Sequence, residues 1–189
     1  MLTHAMLRDT FQEAVAYREY VATGRSDQIE SWSKFHAQVQ LADPQRKLLG
    51  SFTRRMPVLV ISGLWCGDCV QQCPILERIA AAGRMIDLRF VDRDAHADLA
   101  DQVRICGGLR VPTAIFMNED FEFVSLLGDR TLSRYRAVAN RHLGPSCPLP
   151  GAPACPDEIA ATAQDWVNEF ERVQLMLRLS AKLRERYRD

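Results

Sequence analysis

The residues of this chain best suited to chemistry are two cysteines, Cys66 and Cys69, in the segment Trp65-Cys66-Gly67-Asp68-Cys69. An apolar run precedes the segment and a helical pattern follows it, which places Cys66 at a helix N-terminus. The unsatisfied N–H groups and the macrodipole at such an end favour negative charge. Because the thiolate is the reactive form of cysteine, we expect the pKa of Cys66 to fall below the free value of about 8.5.

The positions of the two cysteines on the predicted helix suggest different roles. Cys69 lies one turn further in, within reach of the Cys66 sulfur but shielded from solvent. Cys66 is therefore expected to attack a substrate disulfide, and Cys69 to resolve the mixed disulfide that forms. Trp65 would provide an apolar platform beside the exposed sulfur.

Two other interpretations of the cysteine pair stay open on the sequence. The cysteines could be inert buried thiols, although their position beside Trp65 at a strand–helix junction argues against this. They could also form half of a zinc or iron–sulfur site, which would need two more ligands. Cys73 and Cys106 are the candidates for those ligands. We expect no metal, and no cofactor beyond the redox-active pair itself.

The elements that must position the pair follow the order β-α-β-α-β-β-α. They are predicted as strand 57–62, helix 66–82, strand 86–91, helix 94–104, strand 113–117, strand 121–127 and helix 131–143. The first two strands, with a helix between them, indicate a parallel βαβ unit. The turn at residues 118–120 predicts that the last two strands form an antiparallel hairpin.

Both ends of the chain are predicted to be helical. Helices are expected over residues 2–22, from Ser26 or Asp27 to about 41 with Glu30 in a capping box, and from Asp43 as N-cap to about 52. Asp157 is placed to cap a last helix that ends near residue 186. Its apolar stripe must be buried against the N-terminal helices or a second subunit, and consists of Ile159, Trp166, Phe170, Val173, Met176, Leu177 and Leu183.

These elements divide the chain into four parts. Residues 1–54 form a helical N-terminal extension, and residues 55–144 form the core that carries the cysteine pair. Five prolines make residues 145–156 a linker without regular structure. Residues 157–189 form the C-terminal amphipathic helix.

Three further features of the sequence resemble the thioredoxin family. Pro74 stands five residues after Cys69, where that family has a helix-kinking proline. Val111-Pro112-Thr113 matches the family's cis-proline tripeptide, and Gly128 follows the predicted hairpin as the family's late glycine does. The resemblance covers about residues 55–143. More narrowly, the WCGDC centre, the helical N-terminal extension and the stretch 107–112 resemble a bacterial thioredoxin-like branch.

This resemblance implies both a fold and an activity. The fold is α/β, a thioredoxin fold with a central mixed sheet flanked by helices, here with helical extensions at both ends. The activity is thiol–disulfide exchange on protein or small-thiol disulfides, with an external reductase that recharges the pair. In the family the cis-proline, here Pro112, lies against the cysteines and would block a metal cluster. The preceding residue, here Val111, pairs with the substrate backbone.

Two positions depart from the family pattern. Asp68 replaces a common proline, and its carboxylate either opposes the Cys66 thiolate or simply favours the helix N-terminus. On the first interpretation, Cys66 is less acidic than in a proline-containing centre. Val60 replaces a buried aspartate that helps to deprotonate the resolving cysteine, which leaves the proton acceptor of Cys69 unassigned.

Composition limits the partners. With 24 basic and 24 acidic residues the chain has no net charge, so we expect neither nucleic acid nor a membrane surface as a partner. No leader pattern or membrane-spanning run is recognisable, so a cytoplasmic location is expected. A homodimer through the terminal helices is conceivable, and a redox-switched binding module with little turnover is the alternative function.

The remaining cysteines and tryptophans are given structural roles. Cys73 is expected to act as a small buried hydrophobe and Cys106 as a loop cysteine or a regulatory thiol. Cys147 and Cys155 could form a disulfide or a metal half-site, but a reducing compartment favours free thiols. Trp32 and Trp166 are expected to fill the core.

Overall fold

The computed structural model describes residues 2–143 and 154–188. Its helices and strands, in chain order, are α1 (His4–Glu13), α2 (Tyr17–Ala22), α3 (Ser26–His36), α4 (Asp43–Gly50), β1 (Met56–Ser62), α5 (Gly67–Ala82), β2 (Ile86–Asp92), α6 (Ala97–Gln102), β3 (Thr113–Met117), β4 (Phe123–Gly128), α7 (Leu132–His142), α8 (Glu158–Leu179) and α9 (Ala181–Tyr187). The seven predicted core elements are confirmed in order and type, with ends that shift by no more than three residues. Most of the proline-rich stretch lies outside the described residues.

The four strands form one mixed sheet in the order β2-β1-β3-β4. β1 is parallel to β2 and antiparallel to β3, and β3 and β4 form the predicted antiparallel hairpin. Every residue of β1 is buried, which explains its nearly continuous apolar sequence. With helices packed around this sheet, the predicted fold class is confirmed.

The single helix predicted over residues 2–22 is wrong. The chain leaves the helical conformation at residues 14–16 and forms an isolated antiparallel bridge to β2. The Val15 N–H donates to the Phe90 carbonyl at 3.1 Å, and the Phe90 N–H donates to the Val15 carbonyl at 2.8 Å. An edge strand has unpaired backbone groups, and satisfying two of them outweighs the helical periodicity of this segment.

The next two helices also differ from prediction at their ends. α3 ends at His36, about five residues early, and Gln28 rather than Glu30 receives the capping hydrogen bond, from the Arg25 N–H at 3.0 Å. Asp43 lies inside α4, and Gln45 accepts a hydrogen bond from the N–H of the true N-cap, Ala42, at 2.8 Å. In both helices a glutamine at the third position supplies the cap.

The C-terminal helix is two helices rather than one. Asp157 caps α8 as predicted and accepts from the Ala160 N–H at 2.9 Å. The helix breaks at Ser180, whose side chain caps α9. The apolar stripe of this segment packs within the same chain, where Phe170 meets Phe116 of β3 edge-on with ring centroids 5.1 Å apart. Met176 is the exception, because it is exposed rather than buried. α8 thus packs on α4, α5, α7 and β4, and dimerisation stays a prediction.

Candidate functional site

The cysteine pair occupies the junction between β1 and α5. Cys66 is the N-cap of α5 and is partly buried, whereas Cys69 is fully buried in the first turn. Trp65 is 53% exposed beside them. Gly67, which we expect to support the pair, is exposed, and a Cβ added there would meet no atom within 4 Å. One sulfur can therefore meet a substrate, and the second can reach only the first.

The segment before β3 closes over the pair. The Val111–Pro112 peptide bond is cis, and both residues are buried. The Cys66 thiol donates to the Val111 carbonyl oxygen, with the two atoms 3.5 Å apart. Gly128 belongs to the same arrangement, because a Cβ there would lie 2.8 Å from the Pro112 carbonyl oxygen. Val111 thus contacts Cys66, and Gly128 packs closely against Pro112, although these residues are distant from the cysteine pair in the sequence.

In the dithiol form the pKa of Cys66 is raised, and not lowered as the sequence led us to expect. The hydrogen bond to Cys69 raises the pKa of the Cys66 thiol, and burial acts in the same direction. The backbone N–H groups of Cys69 and Asp68 oppose this rise but do not overcome it. Burial raises the pKa of the Cys69 thiol well above its ordinary value. Cys66 keeps contact with solvent and lies at the helix N-terminus, which favours its thiolate, whereas Cys69 is fully buried.

The Asp68 carboxylate lies in the first turn of α5, as one of the two expectations had it, and it also makes ion pairs that the sequence did not indicate. Arg130 Nη2 donates to Asp68 Oδ2 at 2.5 Å, and Arg134 Nε donates to Asp68 Oδ1 at 3.1 Å. The carboxylate is 14% exposed, and Arg134 begins a further chain of ion pairs through Glu158. Asp68 therefore joins α5 to α7, and its charge is compensated by two guanidinium groups.

An Asp68→Asn variant is expected to lose about 1–3 kcal/mol of unfolding free energy, because two partly buried guanidinium groups lose their shared carboxylate. The same change should lower the pKa of Cys66, since those positive charges near the start of α5 are no longer balanced. Chemical denaturation and a thiolate titration by ultraviolet absorbance measure the two effects. Asp98→Asn, at an exposed position of α6, is the control. Equal stability of the two variants would contradict the anchoring role.

The two buried tryptophans do more than fill the core. Trp32 of α3 donates its indole N–H to the Leu64 carbonyl at 3.1 Å, immediately before the cysteine segment. Trp166 of α8 donates to Gln72 Oε1 of α5 at 3.3 Å. The Gln72 amide in turn donates to the Asp129 carbonyl at 2.8 Å. Each terminal extension thus supports one side of the site, which helical periodicity could not indicate.

The exposed Trp65 ring is fixed by two neighbours that sequence reasoning missed. The Arg93 guanidinium lies over the ring, 4.6 Å from its centroid. Gly63 also lies close to the ring, because a Cβ there would be 2.8 Å from a ring carbon of Trp65. A glycine three residues before Cys66 was the available signal. The ring is thereby held as a flat apolar surface next to Cys66.

The remaining cysteines and Val60 differ in their exposure. Cys73 and Val60 are fully buried, and Cys106 and Cys155 are exposed. Cys147 lies outside the described residues. Within residues 2–143 and 154–188, no cluster of three or more His, Cys, Asp or Glu side chains is arranged to hold a metal ion. Nor does that part of the chain contain a helix long and apolar enough to cross a membrane.

Comparisons with known proteins bear on the fold and the family of the chain. The chain is similar to a protein of unknown function from Pseudomonas aeruginosa, with 16% identity, a TM-score of 0.69, and coverage of 92% of this chain and 97% of that one. A scaffold that displays an HIV epitope matches with 19% identity, a TM-score of 0.62 and coverage of 95% and 100%. These similarities concern the fold. A sequence model of the thioredoxin family matches residues 14–138, and the chain therefore belongs to the thioredoxin family.

Proposed function

We propose that the protein is a thiol–disulfide oxidoreductase that reduces disulfides by exchange at Cys66 and Cys69. The observation that carries the proposal is the pairing of a partly exposed N-cap thiol with a fully buried thiol one turn behind it. An accessible sulfur paired with a shielded one is what a two-step exchange requires.

In the first step, the Cys66 thiolate attacks one sulfur of a substrate disulfide. A Cys66–substrate disulfide forms, and the other substrate sulfur leaves as a thiol after taking up a proton. In the second step, Cys69 loses its proton and attacks the Cys66 sulfur. The Cys66–Cys69 disulfide forms, the bond to the substrate breaks, and the released substrate sulfur takes up a proton. Two electrons have then passed from the pair to the substrate.

The surroundings of Cys66 favour a polypeptide substrate. Trp65 offers an apolar surface, and the backbone at Val111 lies beside the sulfur, where an extended substrate segment can pair with it. An external reductase would return the pair to the dithiol form. We place the reaction in the cytoplasm, where a reducing poise favours the dithiol.

In an insulin-reduction assay with dithiothreitol, the wild-type chain is expected to accelerate precipitation of the insulin B chain, and Cys66→Ser to show only the uncatalysed rate. The physical reason is that serine provides no thiolate to open the disulfide. Cys106→Ser, which removes an exposed thiol elsewhere, is the matched control and should keep full activity. A wild-type chain no faster than Cys66→Ser would contradict the proposal and favour a redox-switched binding module.

A further inference from the structure

The environment of Cys69 raises a question about the resolving step of the proposed function, on which this inference rests. Cys69 must lose a proton while fully buried, and Val60 supplies no carboxylate where the family resemblance implies one. Burial of a thiol without a polar partner strongly disfavours its thiolate. Some other group must therefore stabilise the Cys69 thiolate.

Ser62, the last residue of β1, provides a polar group at this point. It is fully buried, and its hydroxyl oxygen lies 3.5 Å from the sulfur of Cys73, which is also fully buried. The Cys69 sulfur is also fully buried and lies one turn before Cys73 on the same side of α5, the side that meets Ser62. A serine in this otherwise apolar strand therefore lies under the resolving cysteine.

A second hydroxyl reaches the same place from the N-terminal extension. Tyr20 of α2 is 3% exposed, and its hydroxyl has no hydrogen-bond partner among the described residues, while the Ser62 side chain acts to lower its pKa. Its ring stacks on Phe90 at 5.6 Å and contacts Trp32 edge-on at 5.9 Å, which fixes its position. A buried hydroxyl without a partner is costly, so its placement here calls for an explanation.

The donor and acceptor capacities of these groups define one arrangement. A serine hydroxyl has one hydrogen to donate and two lone pairs to accept with. If the Cys73 thiol and the Tyr20 hydroxyl both direct their hydrogens at the Ser62 oxygen, the Ser62 hydrogen is left for the Cys69 sulfur. We propose that Ser62, oriented by Cys73 and Tyr20, is the positioning residue that donates a hydrogen bond to the Cys69 thiolate during resolution.

This arrangement needs no additional base. Ser62 keeps its proton throughout, and the proton lost by Cys69 is balanced by the one taken up by the leaving substrate sulfur. A hydrogen bond to the ionised form lowers a pKa, and Ser62 acts on Cys69 in that direction. The titratable groups around this cluster are Cys66 and Cys73 on α5, Tyr20 on α2 and Asp92 on β2, with Tyr17 and Glu77 behind Cys73.

The test uses dithiobisnitrobenzoate, an aromatic disulfide whose reduction releases a coloured thiolate. In stopped flow, attack by Cys66 releases the first coloured equivalent and resolution by Cys69 releases the second. The full chain carries Cys106→Ser, Cys147→Ser and Cys155→Ser in all variants, so that other thiols outside the active-site helix do not contribute. Cys69→Ser should release only the first equivalent and thereby identifies the two phases.

Ser62→Ala is expected to leave the first phase within about twofold of wild type and to slow the second about tenfold, because a rise of one pKa unit lowers the thiolate fraction about tenfold. The pH midpoint of the second phase should rise, and Ser62→Thr should restore both values. Tyr20→Phe should slow the same phase by a smaller factor. If Ser62→Ala does not fold, Tyr20→Phe serves as the test of the inference. Thr162→Val, which removes a buried unpartnered hydroxyl on α8, is the control and should change neither phase.

An unchanged second phase in both Ser62→Ala and Tyr20→Phe would overturn this inference and leave the proposed function intact. Equal slowing by Thr162→Val would also overturn it, since the effect would then be general. A wild-type chain that releases no second equivalent would overturn the inference together with the proposed function.

Discussion

A Cys69→Ser chain is expected to accumulate substrates as mixed disulfides on Cys66, and a Cys66→Ser chain to accumulate none. Without the buried thiol, the second exchange step cannot occur, and the adduct survives until an external thiol attacks it. Residue 69 is shielded from solvent, so a serine there removes the internal attack without opening a new path to the Cys66 sulfur. The adduct is therefore expected to persist. The expected contrast between the two variants is therefore nearly all-or-none.

The measurement is affinity capture of the tagged chain from a cell extract after alkylation of free thiols, with release of partners by dithiothreitol. Cys106 and Cys155 are exposed and could form adducts of their own, so both are replaced by serine in every variant. The double variant Cys66→Ser/Cys69→Ser measures the remaining background. Equal recovery of partners from Cys69→Ser and from the double variant would contradict nucleophilic attack at Cys66.

The central part of the fold was predictable because its signals are local. Six consecutive apolar residues before Ser62 make β1 recognisable, and the cysteine spacing marks the start of α5. The cis bond before Pro112 was predicted from the family resemblance, because hydrophobic periodicity alone does not indicate it. These features depend on neighbouring residues or on a motif, and the structure reproduces them.

The features that sequence reasoning missed depend on residues far apart in the chain. Asp68 meets Arg130 and Arg134 across 62 and 66 positions, so its charge could not be judged from its neighbours. Val15 leaves a helical pattern because a strand edge 75 positions away offers backbone partners. The pKa of Cys66 was misjudged because the helix N-terminus was weighed without the interaction with the Cys69 side chain and without burial, both of which raise that pKa.

The two terminal extensions belong to the same hydrophobic core as the sheet. One continuous buried cluster runs from Leu7 to Leu183 and includes the cysteines of α5. Trp32 and Trp166 connect it to the active-site segment through their indole N–H groups. We therefore expect the C-terminal helix to unfold together with the core and not as a separate unit.

Trp166→Ala tests this expectation, and should lower the free energy of unfolding by about 3–5 kcal/mol because a fully buried indole leaves a cavity. It also leaves the Gln72 side-chain oxygen without its donor. Urea denaturation followed by circular dichroism is expected to give one transition at a lower midpoint with an unchanged slope, since the slope follows the surface exposed on unfolding. Trp166→Phe keeps much of the ring volume and should cost less.

Leu179→Ala is the matched control on the same helix, because Leu179 is 77% exposed and its truncation opens no cavity. Its midpoint should stay close to wild type, as surface substitutions usually change stability by less than about 0.5 kcal/mol. A separate early transition in Trp166→Ala, with the core unfolding at the wild-type midpoint, would mean that α8 is an independent appendage. A single destabilised transition would instead mean that Gln72 depends on the C-terminal extension for its position, and that α5, which carries the cysteines, depends on it through Gln72.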